Sequence, residues 1–233
     1  MGSRCTLLRP GLTPYLDASQ LQRRLAQHVR DGSDPVLILI EHPPVYTLGR
    51  RGSRDHLLAA EPALRACGAE VHETDRGGDV TFHGPGQLVG YPILDLRRFG
   101  QGPVWYVRTL ESILIEAAAR FGVEAQRQER RPGIWAGDAK LASIGVRISG
   151  GVTTHGFALN VSTDLSWFDH IVPCGLPGVR MTSMRELLGA APGMRDVEDA
   201  VAQAFASRFD FDLVEAPADA IDTEPALAGA AAW

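Results

Sequence analysis

The amino-acid sequence predicts an α+β fold in which helices flank a mixed, largely antiparallel sheet. Helical apolar spacing occurs near the start, in the middle and near the end of the chain, and β-like runs separated by turn residues lie between these segments. With 233 residues, of which 45% are hydrophobic, the chain is long enough to bury a substantial core. We therefore expect one domain over residues 1–214, followed by a disordered, Ala- and Pro-rich tail over residues 215–233.

The first half of the chain predicts one helix and three strands. The helix is expected to start with Thr13 as its N-cap and Pro14 as its first helical residue. Its apolar stripe consists of Leu16, Leu21, Leu25 and Val29. The continuous aliphatic run at residues 36–40 is typical of a buried strand. Two further strands are predicted at residues 79–82 and 88–96, around a glycine-rich turn.

A second helix and a meander are predicted in the middle of the chain. The helix follows Pro103 and stops at Gly122. Its stripe consists of Val107, Leu110, Leu114, Ala117 and Phe121. Residues 133–161 alternate between β-like runs and turns, with turns expected at Gly137 and at residues 149–151. This pattern favours adjacent antiparallel strands.

Two helices are predicted near the C-terminus. The first is short, with a capping box formed by Ser183 and Glu186 and a stop at Gly189. The second is expected to start from a cap at Asp196. Its stripe consists of Val197, Val201, Phe205 and Phe209. Helices therefore precede, interrupt and follow the predicted sheet.

Composition excludes several classes of function. The chain carries 23 basic and 28 acidic residues, a net charge of −5, so nothing attracts it generally to nucleic acid or to anionic lipid. No apolar stretch is long enough for a membrane-spanning helix. Cys5, Cys67 and Cys174 are few and far apart, which predicts a cytoplasmic protein without a disulfide framework, and the histidine spacing predicts no metal site.

Lys140 is the only lysine of the chain, because the other 22 of its 23 basic residues are arginines. In a strand it shares a face with the aliphatic residues Ala142, Ile144, Val146 and Ile148. If that face is turned to the core, the ammonium is poorly solvated and can exchange protons near neutral pH. The alternative is a lysine that follows a Gly-Asp turn and extends into water.

Cys174 lies in a segment rich in proline and glycine, with the sequence IVPCGLPG. Free cysteines are most often inert core residues, but a loop position favours reactivity. A reactive thiolate at neutral pH needs a neighbouring cation or hydrogen-bond donor, and Lys140, His83, His155 and His170 are the candidates.

A third cluster, RGGDVTFHGPGQ, contains four glycines in twelve residues and starts at Arg76. Such a segment either binds a ligand closely or forms a tight turn between strands. It contains no lysine, so it cannot be a P-loop, which excludes nucleotide hydrolysis by that mechanism. His155 lies further along, on a predicted strand face with Phe157, Leu159 and Val161, where a structural histidine is the usual case.

Three long motifs in this order resemble the lipoyl(octanoyl) transferase family. They are RGGDVTFHGPGQLVGYP, KLASIGVRISGGVTTHGFALNV and the PCGLPG segment. The similarity includes EHPPVYTLGRRG and WYVRTLE and covers roughly residues 36–190. It implies a fold similar to the catalytic domains of biotin and lipoate protein ligases.

The resemblance also implies roles for individual residues. Cys174 would carry the acyl group as a thioester, and Lys140 would promote ionisation of that cysteine. Substrate contacts would come from the first motif, from the small residues after the lysine, and from the residues after His155, which itself is a secondary candidate. These substrate-binding residues are Arg76, Gly77, Gly78, Asp79, Val80, Thr81, Phe82, His83, Ser143, Ile144, Gly145, Gly156, Phe157 and Ala158.

The implied reaction transfers an octanoyl group from acyl carrier protein to a lysine of a lipoyl domain. The implied acceptors are the lipoyl domains of 2-oxoacid dehydrogenase complexes and the glycine cleavage H protein. No cofactor is expected, neither ATP nor a metal, because a thioester is already activated.

Three alternatives stay open at the level of sequence. An ATP-dependent lipoate or biotin protein ligase on the same fold would not need Cys174. A cysteine hydrolase would use Cys174 with His155 or His170. A non-catalytic module would bind acyl carrier protein or lipoyl domains and would tolerate Cys174→Ser.

Overall fold

A computed structural model describes residues 2–175 and 178–217, except for the side chain of Cys174. Within this part of the chain there are twelve strands, five α-helices and four short 3-10 helices. The strands are β1 (Ser3–Leu12), β2 (Val36–Glu41), β3 (Val45–Leu48), β4 (Glu70–Glu73), β5 (Val80–His83), β6 (Gln87–Ile93), β7 (Gln126–Gln128), β8 (Arg131–Ala136), β9 (Ala139–Ser149), β10 (Val152–Asn160), β11 (Arg180–Met181) and β12 (Phe211–Ala216). The α-helices are α1 (Tyr15–Arg30), α2 (Glu61–Ala66), α3 (Pro103–Ala119), α4 (Met184–Leu188) and α5 (Met194–Phe209). The 3-10 helices are Arg54–His56, Leu96–Phe99, Leu165–His170 and Pro173–Gly175.

The strands form two sheets. The large sheet has the order β12-β1-β2-β6-β10-β9-β8-β7, with β11 paired to β9. Its pairs from β2 to β7 are antiparallel, whereas β12, β1 and β2 run parallel, and β11 runs parallel to β9. The small sheet has the order β4-β3-β5, with β4 parallel and β5 antiparallel to β3. The predicted fold class, a mixed and largely antiparallel sheet with helices, is confirmed.

Helices cover both faces of the large sheet. Leu37 and Leu39 of β2 pack into a core with α3 and α5, whereas Ile38 and Ile40 pack on the opposite side with α1. Burying one such side chain contributes roughly 1.5–3 kcal/mol. The aliphatic run that predicted a buried strand therefore reflects a strand enclosed on both sides.

Two predicted helix starts are wrong, by one residue for α1 and by three residues for α5. Pro14, not Thr13, is the N-cap of α1, because the backbone of Pro14 is extended and the Thr13 hydroxyl donates to the Gly11 carbonyl instead. Helix α5 begins at Met194, and Asp196 lies in its first turn with its carboxylate against Gly193. An acidic residue in a first turn is favourable whether or not it is the cap, so the pattern did not separate the two positions.

The other predicted elements agree with the structure except at their ends. The meander is β8, β9 and β10, and Ser183 caps α4 by accepting a hydrogen bond from the Glu186 backbone N–H. Strand β6 ends at Ile93, before the predicted end at residue 96, because Asp95 caps the 3-10 helix that follows. Helix α3 ends at Ala119, and Gly122, in the left-handed region, follows it within three residues.

The sequence did not indicate the two outermost strands at one edge of the large sheet. Ser3 of β1 pairs with Phe211 of β12, and Leu8 pairs with Ala216. Strand β12 therefore extends two residues into the predicted tail, and residues 218–233 of that tail lie outside the described residues. In the described part of the chain, no helix is long and apolar enough to span a membrane.

Candidate active site

A cavity with an empty volume of about 500 Å³ lies where the two sheets meet. Twelve of the predicted substrate-binding residues line it, and Gly77 and Phe82 do not. Phe82 instead packs with Tyr46 and stacks on Trp167 at a centroid distance of 5.3 Å. His155 and three residues that sequence reasoning missed, Tyr15, Val89 and Tyr91, also line the cavity.

The backbone of the glycine-rich segment is fastened to the large sheet. The Gly77 N–H donates to the Val146 carbonyl at 2.9 Å, and a Cβ on Gly145 would lie 2.9 Å from the Gly77 carbonyl oxygen. Only glycine at position 145 allows this close approach of the two backbones. The small residues after Lys140 therefore let the two sheets form a common wall of the cavity.

Arg76 is buried at the same junction. Its guanidinium donates to the Thr47 carbonyl at 2.6 Å, to the Thr47 hydroxyl at 2.9 Å and to the Gly77 carbonyl at 3.0 Å. These bonds hold the start of the glycine-rich segment against β3. The buried charge of Arg76 also lowers the pKa values of two nearby histidines, His83 and His155.

Two histidines at the sheet junction are held in their neutral form. His42 donates from Nδ1 to the Thr13 carbonyl, so its Nε2 accepts from the Tyr91 hydroxyl, each bond 2.7 Å long. Burial lowers the pKa of His42 to about 4. Burial, followed by the charges of His42 and Arg76, lowers the pKa of His83 to about 3. The ring of His83, which lines the cavity, is therefore uncharged near neutral pH.

His155 lies in β10 but has a backbone φ of 58°, in the left-handed region. Its backbone N–H donates to Gln22 Oε1 at 2.7 Å, and its Nε2 lies 2.7 Å from Asp75 Oδ1. Burial is the main cause that lowers its pKa, to about 3, and the charge of Arg76 adds to the effect. Such a conformation costs of order 1–3 kcal/mol for a non-glycine residue and indicates a position fixed by its surroundings.

Lys140 is only 2% exposed, which contradicts the alternative of a lysine that extends into water. Its Nζ lies 5.3 Å from the centroid of the Trp135 ring, and its Cε lies 2.9 Å from where a Cβ on Gly133 would be. The Lys140 carbonyl accepts from the Thr182 N–H, and Lys140 pairs with Met181 of β11. The lysine is therefore an interior residue at the start of β9, which is one of the two possibilities that its strand position had left open.

Cys174 lies in the 3-10 helix Pro173–Gly175, and its side chain is outside the described part of the structure. Both flanks of the cysteine are described. The Val172 N–H donates to the His56 carbonyl at 2.9 Å, and Gly175 lies against the side chains of Asp79 and His56. Gly175 has a φ of 65°, and a Cβ there would collide with Asp79 Oδ2.

The segment 171–181 connects the two catalytic candidates. Near its start it contacts Asp79, which lines the cavity, and at its end Met181 pairs with Lys140. The structure thus brings the backbone of Cys174 to the wall of the cavity and the end of the same segment to Lys140. His170 directly precedes this segment, with its ring against Trp167.

His56 is a residue that sequence reasoning missed. Its Nδ1 lies 2.6 Å from Asp79 Oδ2, although 23 residues separate the two in the sequence. No local motif marks His56, because its position depends on the pairing of Leu57 with Ile171 in the segment 171–181, called the cysteine segment below.

The chain matches a family model described as the lipoyl protein ligase A/B catalytic domain over residues 14–206. It is 50% identical over 211 residues to the octanoyltransferase of Gloeobacter violaceus, covering 88% of this chain and 90% of that protein. It is also 50% identical over 200 residues to the octanoyltransferase of Rubrobacter xylanophilus, covering 84% of this chain and 89% of that protein.

Solved structures with a similar fold are lipoate and biotin protein ligases. A lipoate-protein ligase A bound with ATP superposes with a TM-score of 0.75 at 18% identity, covering 93% of this chain and 89% of that chain. A bipartite lipoate protein ligase from Thermoplasma acidophilum, studied with its E2 lipoyl domain, superposes with a TM-score of 0.69 at 18% identity, covering 93% of this chain and 87% of that chain. A biotin protein ligase from Aquifex aeolicus in complex with biotin and ATP superposes with a TM-score of 0.55 at 13% identity, covering 89% of this chain and 70% of that chain. The expected similarity of fold to both ligase types is confirmed.

Proposed function

The chain belongs to the lipoyl protein ligase A/B catalytic domain family, and on this premise we propose that it transfers an octanoyl group through a thioester on Cys174 to a lysine of a lipoyl domain. It is an octanoyltransferase, the name carried by relatives that are 50% identical to it over most of its length. The ligases that share its fold are at most 18% identical in the comparisons above, so their use of ATP does not extend to this chain.

One observation carries the assignment of the site. Gly175, the neighbour of Cys174, contacts Asp79, and Asp79 lines the cavity between the sheets. An acyl group bound to Cys174 would therefore start at the cavity wall, and its chain would extend along Ile144, Val89 and Phe157. These side chains are apolar, which suits a saturated acyl chain.

The first step of the proposed reaction is attack on the donor thioester. The Cys174 thiolate forms a bond to the acyl carbon, and the bond from that carbon to the donor sulfur breaks with its electron pair on the sulfur. Protonated Lys140 is the acid that supplies a proton to the departing thiolate. We propose the phosphopantetheine thioester of acyl carrier protein as the donor.

The second step transfers the acyl group to the acceptor. The amine of the lipoyl lysine attacks the Cys174 thioester, the C–N bond forms, and the electron pair of the C–S bond returns to the Cys174 sulfur. Lys140 is neutral after the first step and accepts a proton from the amine. An amide is more stable than a thioester, so the proposal needs neither ATP nor a metal ion.

Lipoyl domains are the acceptors that fit this family. The Thermoplasma acidophilum ligase with a similar fold was studied with its E2 lipoyl domain. For this chain we propose lipoyl domains of 2-oxoacid dehydrogenase complexes and the glycine cleavage H protein. A cytoplasmic location stays a prediction from the cysteine usage.

The intact mass of the protein tests the proposal. After incubation with octanoyl acyl carrier protein and without ATP, the wild type should gain the mass of one octanoyl group and should lose it to an added lipoyl domain. Cys174→Ser should not form this thioester or support turnover, whereas Cys67→Ser, at an exposed cysteine outside the site, should behave like the wild type. Modification of the lipoyl domain only when ATP and free octanoate are supplied would instead assign the protein as a ligase.

A further inference from the structure

The proposed second step starts from the neutral amine of the lipoyl lysine, so the proton that forms the ammonium must first be removed. At neutral pH the lysine of a lipoyl domain is an ammonium group with three protons, and the amide product keeps one of them. Lys140 can accept only one of the two protons that leave. A second base beside the Cys174 thioester would complete the reaction.

His56 and Asp79 lie on both sides of the cysteine. The His56 carbonyl accepts the N–H of Val172, two residues before Cys174. On the other side, a Cβ on Gly175 would lie 3.1 Å from Cε1 of the His56 ring and would collide with Asp79 Oδ2. Cε1 is the ring carbon between the two nitrogens, and it is the His56 ring atom that lies nearest to this position on the segment that carries Cys174.

The orientation of the His56 ring is fixed by a carboxylate that is itself held in place. Asp79 Oδ1 accepts from the Val80 N–H at 2.7 Å and from the Ser53 N–H at 3.2 Å. Its other oxygen, Oδ2, lies 2.6 Å from His56 Nδ1. A carboxylate can only accept, so Nδ1 carries the proton and Nε2 of the neutral ring is the acceptor.

His56 is suited to exchange protons with an incoming group, whereas the ring nitrogens of three other histidines face partners within the fold. Those of His42 bond to Thr13 and Tyr91, those of His83 face Gln87 and Thr47, and Nε2 of His155 faces Asp75. The side chain of His56 is 31% exposed, whereas that of Asp79 is only 11% exposed. An acceptor amine can therefore reach His56 while its orienting carboxylate remains covered.

Few charged groups surround His56, and Asp79 is the carboxylate in contact with its ring. In the 3-10 helix that contains His56, Asp55 accepts from the Ser53 hydroxyl, and Arg54 pairs with Glu61 and Glu73. The segment around Cys174 also packs against this helix, and there the His170 carbonyl accepts from the Leu58 N–H.

We propose that His56, oriented by Asp79, is the general base of the second step, an inference that rests on the proposed function. Nε2 of His56 accepts one proton from the lipoyl-lysine ammonium, and the resulting amine attacks the Cys174 thioester. Lys140 accepts the other proton as the C–N bond forms and the C–S bond breaks, and His56 releases its proton to water. The histidine is catalytic, and Asp79 is a positioning residue.

Separate measurement of the two steps tests this assignment. Enzyme acylated by octanoyl acyl carrier protein is mixed with a lipoyl domain, and both acylation and transfer are followed by intact mass. His56→Gln should acylate within about threefold of the wild-type rate but should transfer about 10²-fold more slowly near pH 7. The transfer defect should shrink towards about pH 9.5, because the acceptor amine then loses its proton without help.

Further variants separate catalysis from structure. Asp79→Asn keeps an oxygen that can accept from Nδ1 but loses the charge, so its transfer defect should be smaller, about tenfold. Added imidazole should restore part of the transfer rate of His56→Ala, which a purely structural role would not allow. His72→Gln removes another histidine paired with a carboxylate, that of Glu70, and should leave both steps unchanged.

The outcomes distinguish this inference from the function on which it rests. Wild-type protein that never gains the acyl group would overturn both. Wild-type protein that is acylated normally, together with a His56→Gln variant that transfers at the wild-type rate, would overturn the role of His56 alone. Equal slowing of both steps with an unchanged pH profile and no rescue by imidazole would reduce His56 to a structural residue.

Discussion

The two sheets of this protein are built differently. The large sheet is enclosed by helices, with α3 and α5 on one face and α1 on the other. The small sheet has three short strands, and its cluster is completed by α2 and by residues of the 3-10 helix Leu165–His170. The large sheet thus has the more extensive core, and much of the covering of the small sheet comes from short, irregular segments.

Both sheets contribute to the candidate site. The large sheet supplies Lys140 and the small residues of β9 and β10, whereas the small sheet and the segments beside it supply residues 76–83, His56 and the cysteine segment. The two catalytic candidates, Lys140 and Cys174, are thereby carried on different structural units. If stability depends mainly on the core of the large sheet and chemistry also on the segments around the small one, substitutions in the two sheets should affect these properties differently.

Replacing Lys140 with methionine should abolish activity without unfolding the large sheet. The variant keeps a side chain of similar length between Trp135 and Gly133 but removes the only acid that the proposed first step uses, so turnover should fall by at least about 10³-fold. Steady-state transfer and a thermal melt measure the two effects. Leu141→Met, the next residue of β9, should keep both activity and a cooperative melt, and substantial turnover by Lys140→Met would contradict the proposed role.

The same substitution in each sheet should have different consequences. Leu39→Ala leaves a cavity between the large sheet and its helices, so the free energy of unfolding should fall by about 2–5 kcal/mol while turnover per folded molecule is unchanged. Leu64→Ala on α2 opens the cluster of the small sheet and should lower turnover per folded molecule several-fold, with a stability loss near about 2 kcal/mol. Denaturant unfolding and active-site titration measure these quantities. Equal effects on turnover in both variants would show that the two sheets act as one unit.

Acid should weaken the junction between the sheets. His42 follows β2 of the large sheet, His83 ends β5 of the small one, and their rings lie 5.9 Å apart. Their pKa values in the folded protein, about 4 and about 3, lie below the value of about 6.5 expected for an unfolded chain. The unfolded state therefore binds more protons, and the stability that these residues contribute is complete above about pH 6.5 and is lost as the pH falls towards their folded values.

The free energy of unfolding measured in urea between about pH 6.5 and about pH 5 checks this expectation. Each of the two histidines should contribute a slope of up to about 1.4 kcal/mol per pH unit. His42→Gln should remove one such contribution. If the free energy of unfolding of the wild type does not change over this range, His42 and His83 are not held in their neutral form at the junction between the sheets.

The smallest expected effect concerns docking of the donor beside the small sheet. Arg50 and Arg51 are exposed and directly follow β3 and Gly49. If they attract an acidic carrier protein, reversing both charges to glutamate should lower kcat/KM for the donor by about tenfold or less and should reduce its dependence on salt. Arg120→Glu, at the end of α3, is the matched control and should change neither quantity. Unchanged salt dependence in the double variant would place docking elsewhere.

The chemistry of the site was more visible in the sequence than its geometry. Glycine-rich segments, a single lysine and a cysteine between prolines carry residue-level signals, and the residues around Arg76 and after Lys140 proved to line one cavity. His56 carried no such signal, because its place beside Asp79 follows from pairing between segments more than 100 residues apart in the sequence, Leu57 with Ile171.

Local patterns in the sequence determined the fold class, the buried strand β2, the meander and helices α3 and α4, because apolar spacing and turn residues act between near neighbours. The division into two sheets, the pairing of β1 with β12 and the burial of Lys140 depend instead on contacts across the whole fold. Strands β4 and β7 are short and polar, so no alternating hydrophobic pattern predicts them. Their positions, like the meeting of the candidate catalytic groups, depend on contacts between distant segments that form only when the whole chain packs.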